Sequence, residues 1–266
     1  MARVSLARDD IDAFVFWTRD PEPFAPVFDV LDRRGDPYMV LFTLTGYGAP
    51  LEPHAPSSSK AVRAFLDLAD RVGPQRVVWR YDPVLFGPGL DVDTHLERFA
   101  CLASKLEGAT DTVVFSFVDL YQKTVRRLGG IEGGQEYVQD PVASPRLEEL
   151  VAGLGRAAAG VGMSLQTCAE ERVFSDLGVP PGACIDGDRL HRLFGIAAEG
   201  KDAGQRQHCR CAPSKDIGIP DTCMHGCAYC YATRSHMVAT RRHATHDPAS
   251  PSLLSILEPA TEPVPE

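Results

Sequence analysis

Long apolar runs are missing from this chain. No stretch is long enough to cross a bilayer, and Met1–Asp9 lacks the apolar core of a signal peptide, so the expected location is the cytoplasm, away from membranes. Basic residues are also short: 27 Lys and Arg stand against 36 Asp and Glu, for a net charge of −9. That balance argues against a phosphate-binding surface, and nucleic acid is not an expected partner. No repeat of fixed period is present, which sets solenoid architectures aside. Gly129–Gly134 could pass for a phosphate loop, but no strand runs into it and no Lys followed by Ser or Thr closes it. It reads instead as a mobile surface loop or lid.

What the chain does have is alternation. Apolar, β-branched or aromatic runs fall at 12–17, 38–43, 76–80, 112–118 and 162–167, with a short sixth near 184–186. Helical spacing fills the gaps, over 24–34, after Pro56–Ser59, around Leu96–Leu106, over 145–159 and through Leu190 and Leu193. Strands alternating with helices imply a parallel sheet. Polar residues follow each strand: Arg19 and Asp20, Thr45 and Tyr47, Arg80 and Asp82, Asp119 and Tyr121, Cys168 and Glu170, Cys184 and Asp186. Six strands each ending in polar residues favour a parallel (β/α) barrel, complete or nearly so, over a doubly wound sheet. Only a barrel brings all those ends to one active-site face. Arg19, Asp20, Arg80, Asp82, Asp119 and Tyr121 are therefore the candidate catalytic residues, although Arg19, Asp20, Arg80 and Asp82 could equally be structural ion pairs at the rim. The expected organisation is a barrel over 1–200, a cysteine-rich metal-binding segment over 201–246 packed on its mouth, and a loosely held Pro- and Glu-rich tail over 247–266.

Eight cysteines in a reducing compartment read as metal ligands rather than disulfides. Cys223, Cys227 and Cys230 have C-x3-C-x2-C spacing, short enough for one loop to wrap a single soft metal centre. A structural zinc site normally takes four protein ligands, whereas an iron–sulfur cube held by three thiolates keeps one iron open. Both a zinc knuckle and a 4Fe-4S cluster stay open on spacing alone. Cys168, Cys184, Cys209 and Cys211 form a second set of four, suited to zinc or a second iron–sulfur cluster; alternatively, Cys168 and Cys184 are core residues. Cys101 falls mid-helix and reads as packing. His225 reads as a spacer and His208 as a weaker alternative ligand. His236, His243 and His246, interleaved with Arg234, Arg241 and Arg242, read as a solvated basic segment rather than a nucleic-acid contact.

The string Cys223-Met-His-Gly-Cys227-Ala-Tyr229-Cys230-Tyr-Ala resembles the cluster loop of radical S-adenosylmethionine enzymes, in particular the spore photoproduct lyase-like branch. That resemblance implies a 4Fe-4S cluster on the three thiolates, S-adenosylmethionine on the open iron and Tyr229 helping to seat the adenine. It further implies a small-molecule or other substrate at the barrel mouth and a reducing partner such as ferredoxin or flavodoxin. The chain departs from that pattern in two ways: the loop lies near the C-terminal end, and no Gly-Gly-Glu element follows it. A non-catalytic iron–sulfur or zinc protein for electron transfer, sensing or metal handling therefore remains the alternative. Over Asp12 to about Leu254 the chain also resembles the prokaryotic family numbered 1848 among the domains of unknown function. The strings that carry this are Thr18-Arg-Asp-Pro21, Thr43-Leu-Thr-Gly-Tyr-Gly48, Trp79-Arg-Tyr-Asp-Pro83, Ser116-Phe-Val-Asp119, Cys168-Ala-Glu170, Cys184-Ile-Asp186, Cys209-x-Cys211 and Asp221 to Ala232.

Overall fold

The computed structural model describes residues 4–250 and 252–254. Six strands make one all-parallel sheet in the order of the chain: β1 Phe14–Thr18, β2 Tyr38–Thr43, β3 Val77–Val84, β4 Thr112–Phe117, β5 Ser164–Cys168 and β6 Pro181–Gly182. Between them run α1 Ala25–Arg34, α2 Ser58–Val72, α3 Val92–Lys105, α4 Gln122–Gly129 and α5 Leu147–Ala159; α6 Gly187–Phe194 and α7 His236–Thr245 come after β6. Helix starts coincide with side chains that take orphan N–H groups. Ser57 accepts from Lys60 N at 3.4 Å before α2, Asp91 from Thr94 N at 2.8 Å before α3, and Asp186 from Arg189 N at 3.1 Å before α6.

Strand side chains alternate between two faces, and the two faces are covered differently. Phe14, Phe16, Tyr38, Val40, Phe42, Val77, Trp79, Tyr81, Val113, Phe115, Phe117 and Leu165 pack in the main core with residues of α1, α2, α3 and α5. Val15, Met39, Leu41, Val78, Val114 and Cys168 point the other way. There they meet no crossover helix but the segment that follows β6, through Cys184, Ile185, Leu190, Cys209 and Cys211. Strand order without reversal and crossover helices on one face leave no switch-point crevice of the doubly wound kind. Any site has to form at the strand ends. The second face itself prepares one: apolar where the strands begin, it continues as Arg80 and Asp82 on β3, Ser116 on β4 and Cys168 on β5. Among the described residues no pairing joins β1 to β6.

Several expectations change. The sixth strand is Pro181–Gly182, not 184–186; Cys184 lies just beyond it, where the chain turns into α6. The glycine-rich excursion is packed rather than lid-like. A Cβ on Gly134 would meet the Leu128 carbonyl oxygen at 1.8 Å, and Tyr137 is buried against Gly87. Cys101 is exposed and so contributes no core packing. The basic stretch after residue 234 is a helix, α7, capped by Ser235. Of the 247–266 tail, only 247–250 and 252–254 belong to the described residues.

Candidate functional site

The three-thiol segment is a closed loop docked on the C-terminal ends of the strands. At its base Asp221 N donates to Ala232 O at 3.1 Å. The Asp221 carboxylate accepts from Arg234 N, from Arg234 Nε at 3.1 Å and from Ser235 N at 3.3 Å. Burial pushes the Asp221 pKa up, but these donors outweigh it and hold the carboxyl below its ordinary range. Gly226, at φ 66°, turns the chain between Cys223 and Cys227; a Cβ there would stand 3.1 Å from the His54 ring, which stacks on His236. Ala228 N donates to Leu51 O at 2.8 Å and His54 N to His225 O at 3.3 Å, so the loop leans on the segment after β2. From the opposite side Arg127 of α4 donates to Cys230 O at 2.7 Å and also to the carbonyls of Cys227 and Thr233. Cys227 and Ala228 are buried beside Leu51, Leu85, Val118 and Leu128.

Tyr229 carries the loop into a buried polar knot. Its hydroxyl bonds to Glu52 Oε1 and takes a bond from Arg19. The same Glu52 oxygen accepts from Arg19 at 2.8 Å and from Thr45 Oγ1 at 2.5 Å. Arg19 is 13% and Glu52 4% exposed, so this pair is shielded from solvent. Burial opposes the Arg19 charge, but Tyr229, Glu52, Cys227 and Asp82 outweigh it and the pKa rises. Glu52 escaped the sequence reading because it lies well beyond the end of β2, in a loop without periodicity.

The second thiol set lies on the second face of the sheet, the one covered by the segment after β6. Cys168 and Cys184 stand sulfur to sulfur at 3.0 Å. The thiols of Cys184 and Cys211, and those of Cys211 and Cys209, are near enough to perturb one another's ionisation. Ile185 N donates to the Cys211 sulfur at 3.3 Å and Cys211 N to the Cys209 sulfur at 3.4 Å. Such amide donors are the kind of partner that tunes ligand sulfurs in metal sites. Arg80 lies beside the second set. It pairs with Asp82, which also accepts from Ser116, and it feels Cys184, Cys168 and Tyr231, the neighbour of Cys230. Arg80 Nε is buried without a hydrogen-bond partner.

Comparison with known proteins now fits onto this geometry. The family profile described as Domain of unknown function (DUF1848) matches residues 1–232. The chain belongs to the DUF1848 family. No curated protein and no solved structure matches it. The DUF1848 match runs just past Cys230, so both thiol sets and the whole sheet lie inside it, while α7 lies beyond.

Within this DUF1848 domain the expected site residues divide. Arg19, Arg80 and Asp82 lie at the strand ends, paired as Arg19–Glu52 and Arg80–Asp82, and Asp119 meets Arg206 at 2.6 Å, with Tyr121 exposed nearby. Asp20 does not join them; its carboxylate accepts from Glu22 N at 3.2 Å in the turn before α1. His208 is exposed, and His225 contacts the His54 carbonyl. Glu170 is an addition: its carboxylate accepts from Phe117 N at 2.9 Å, and burial, reinforced by Asp119 and Asp82, pushes its pKa up to about 7. Ala169 before it has φ 56°. A cavity of about 860 Å³ lies elsewhere, between β6, α6 and residues 196–200, and no cysteine lines it.

Donor chemistry decides whether metal centres fit. Among the described residues no three His, Cys, Asp or Glu side chains are closed around one point as a finished metal site. Yet the sulfurs are free, and burial and neighbouring thiols oppose their ionisation. The thiol partnership with Cys168 pushes Cys184 up to about 12, and burial pushes Cys227 up to about 11 with Glu52, Cys230 and Cys223 adding to it. A cationic centre relieves that inhibition by taking thiolates directly. The donor type of both sets, thiol sulfur, is the one a soft metal takes.

Proposed function

We propose that this protein is an iron–sulfur protein resembling radical S-adenosylmethionine enzymes, with Cys223, Cys227 and Cys230 as ligands of a 4Fe-4S cluster. The observation that carries the reading is the short loop that carries Cys223, Cys227 and Cys230 at C-x3-C-x2-C spacing and docks through Tyr229 on Arg19 and Glu52, with Cys168 and Cys184 sulfur to sulfur at 3.0 Å on the second face of the sheet. Three thiolates leave one iron without a protein ligand, whereas four close a site. The second set, Cys168, Cys184, Cys209 and Cys211, takes a zinc ion or a second cluster. The sheet is read as the wall of an incomplete α/β barrel: order without reversal and helices on one face support this, with the segment after β6 filling the place of the missing strands.

Cys223, Cys227 and Cys230 would hold the cluster, which when reduced would supply one electron for reductive cleavage of S-adenosylmethionine. The chain's own groups bind and hold. Arg80, with a free buried N–H beside the second set, is placed to take a carboxylate. Glu170, at about 7, can hold or release a proton near neutrality. Arg206, Asp119 and the exposed Tyr121 and Tyr231 rim the opening for a small-molecule substrate. A reducing partner such as ferredoxin or flavodoxin completes the scheme.

One observation favours the non-catalytic alternative of electron transfer, sensing or metal handling. Tyr229 is 7% exposed and its hydroxyl is committed to Arg19 and Glu52, so its ring is not free to seat an adenine. The deciding experiment is anaerobic purification with iron, sulfide and zinc analysis, followed by chromatography for 5′-deoxyadenosine after reduction with S-adenosylmethionine present. Iron and sulfide that vanish in the Cys223→Ala, Cys227→Ala, Cys230→Ala triple variant, together with nucleoside release, support the enzyme. Stoichiometric zinc without iron rejects the cluster. A loaded cluster that neither responds to the cofactor in its magnetic resonance spectrum nor yields nucleoside leaves the carrier.

A further inference from the structure

Arg127 has no assigned part in any of this. It lies in the last turn of α4, part-buried, and among the described residues no carboxylate pairs with it. Among the described residues its three side-chain hydrogen bonds go to main-chain carbonyls of one segment: Cys227, Cys230 and Thr233. Two of those carbonyls belong to thiol residues themselves. An arginine that forgoes a carboxylate keeps its full positive charge uncompensated beside its acceptors. Here that charge stands against a loop whose three sulfurs, once ionised, carry three negative charges. The fork geometry matters equally. One planar guanidinium spans the backbone on both sides of Tyr229, fixing the spacing of Cys227 and Cys230 as a single unit.

The geometry points to Arg127 as a positioning residue for the three-thiol loop: it holds Cys227 and Cys230 in place before any metal arrives and supplies the countercharge for the loaded centre. The clasp stands on the hydrogen bonds alone. The countercharge rests on the cluster reading given above.

The test has two arms on the full chain. In the first, reduced and metal-free protein is followed by hydrogen exchange with mass spectrometry. Arg127→Gln should speed exchange across residues 222–234 by about ten-fold or more, the equivalent of one lost charge-assisted hydrogen bond, while β2 to β4 keep their protection. Arg126→Gln, an exposed neighbour on the same helix, should change nothing in that segment. Unaltered exchange of 222–234 in Arg127→Gln overturns the clasp. If Arg127→Gln fails to fold by circular dichroism, Arg127→Lys is judged by the same criterion, since a lysine cannot fork across three carbonyls. In the second arm the anaerobically reconstituted protein is titrated for its midpoint potential. Loss of the positive charge should make the Arg127→Gln cluster harder to reduce, while Arg127→Lys stays close to the parent. A purely structural role would not sort the variants by charge, and an unchanged potential in Arg127→Gln overturns the countercharge. A parent protein that takes up no iron refutes the cluster reading and the countercharge with it, while the exchange arm still decides the clasp.

Discussion

The buried knot under the cysteine loop invites a quantitative test at Glu52. One carboxylate oxygen of Glu52 serves Arg19 at 2.8 Å, Thr45 at 2.5 Å and Tyr229. Substitution Glu52→Gln keeps the shape and one acceptor oxygen but removes the charge, leaving the Arg19 guanidinium in a site only 13% exposed. Breaking a buried pair from one side costs about 3–5 kcal/mol, and the retained amide oxygen places the expectation near the lower end, about 3 kcal/mol. For a chain of this size that corresponds to a melting temperature lower by about 10 °C. The double variant Arg19→Met, Glu52→Gln should recover part of the loss, because removing both charges leaves none stranded. Urea unfolding of the parent, both single variants and the double variant supplies the cycle. A loss below about 1 kcal/mol in Glu52→Gln, the range of a solvent-exposed pair, would refute the view that this knot is shielded. So would a double variant less stable than the two single losses added together.

Two further outcomes follow from buried groups. His95 is fully buried, with Nδ1 facing the Tyr81 hydroxyl and Nε2 the Leu85 carbonyl, both at 2.9 Å, and burial holds its pKa down from 6.5 to about 4. The neutral ring belongs to the folded state, so its stabilisation is complete above pH 6.5 and fades as pH falls toward 4. Between pH 7 and 4.5 it accounts for about 2.5 kcal/mol, and denaturant titrations of His95→Gln should lack that part of the parent's acid slope; an identical slope would refute the assignment. At the four-thiol set, Cys168→Ala, Cys184→Ala, Cys209→Ala and Cys211→Ala should each lose the same portion of bound metal and much of the stability. Unchanged metal content and melting in Cys168→Ala and Cys184→Ala would return those two to simple packing.

The parallel sheet was legible because buried parallel strands are written as dense apolar runs, such as Tyr38–Thr43 and Thr112–Phe117, separated by amphipathic spacing. The short edge strand Pro181–Gly182 carried no such run, and the apolar Cys184-Ile185 that stood in for it is instead part of the plug on the second face. Arg80 and Asp82 were readable as strand-end residues because strand parity sends both to one side. Glu52 and Arg127 were not, since what recruits them is contact with a loop 100 or more residues away, as the 177-residue separation of Glu52 from Tyr229 and the 103-residue separation of Arg127 from Cys230 indicate. Sequence spacing holds no trace of such partners. The glycine excursion misled for a related reason. Gly134 and Gly87 are small because backbone and the Tyr137 ring press against them, and composition alone cannot tell a crowded glycine from a loose one.

The docking of the cysteine loop also dictates an order in time. Arg19 and Tyr229 are 210 residues apart, so the polar knot has to wait until nearly the whole domain has left the ribosome. The strands, paired in the order in which they are made, can assemble as they emerge. During that interval Arg19, Glu52 and Arg80 stand uncovered at the rim, and the first thiols to emerge, Cys168 and Cys184, have no Cys209 or Cys211 to complete their set. On the proposed cluster reading, loading is thereby a late event, and the arrival of the last segment both covers the strand ends and commits its sulfurs.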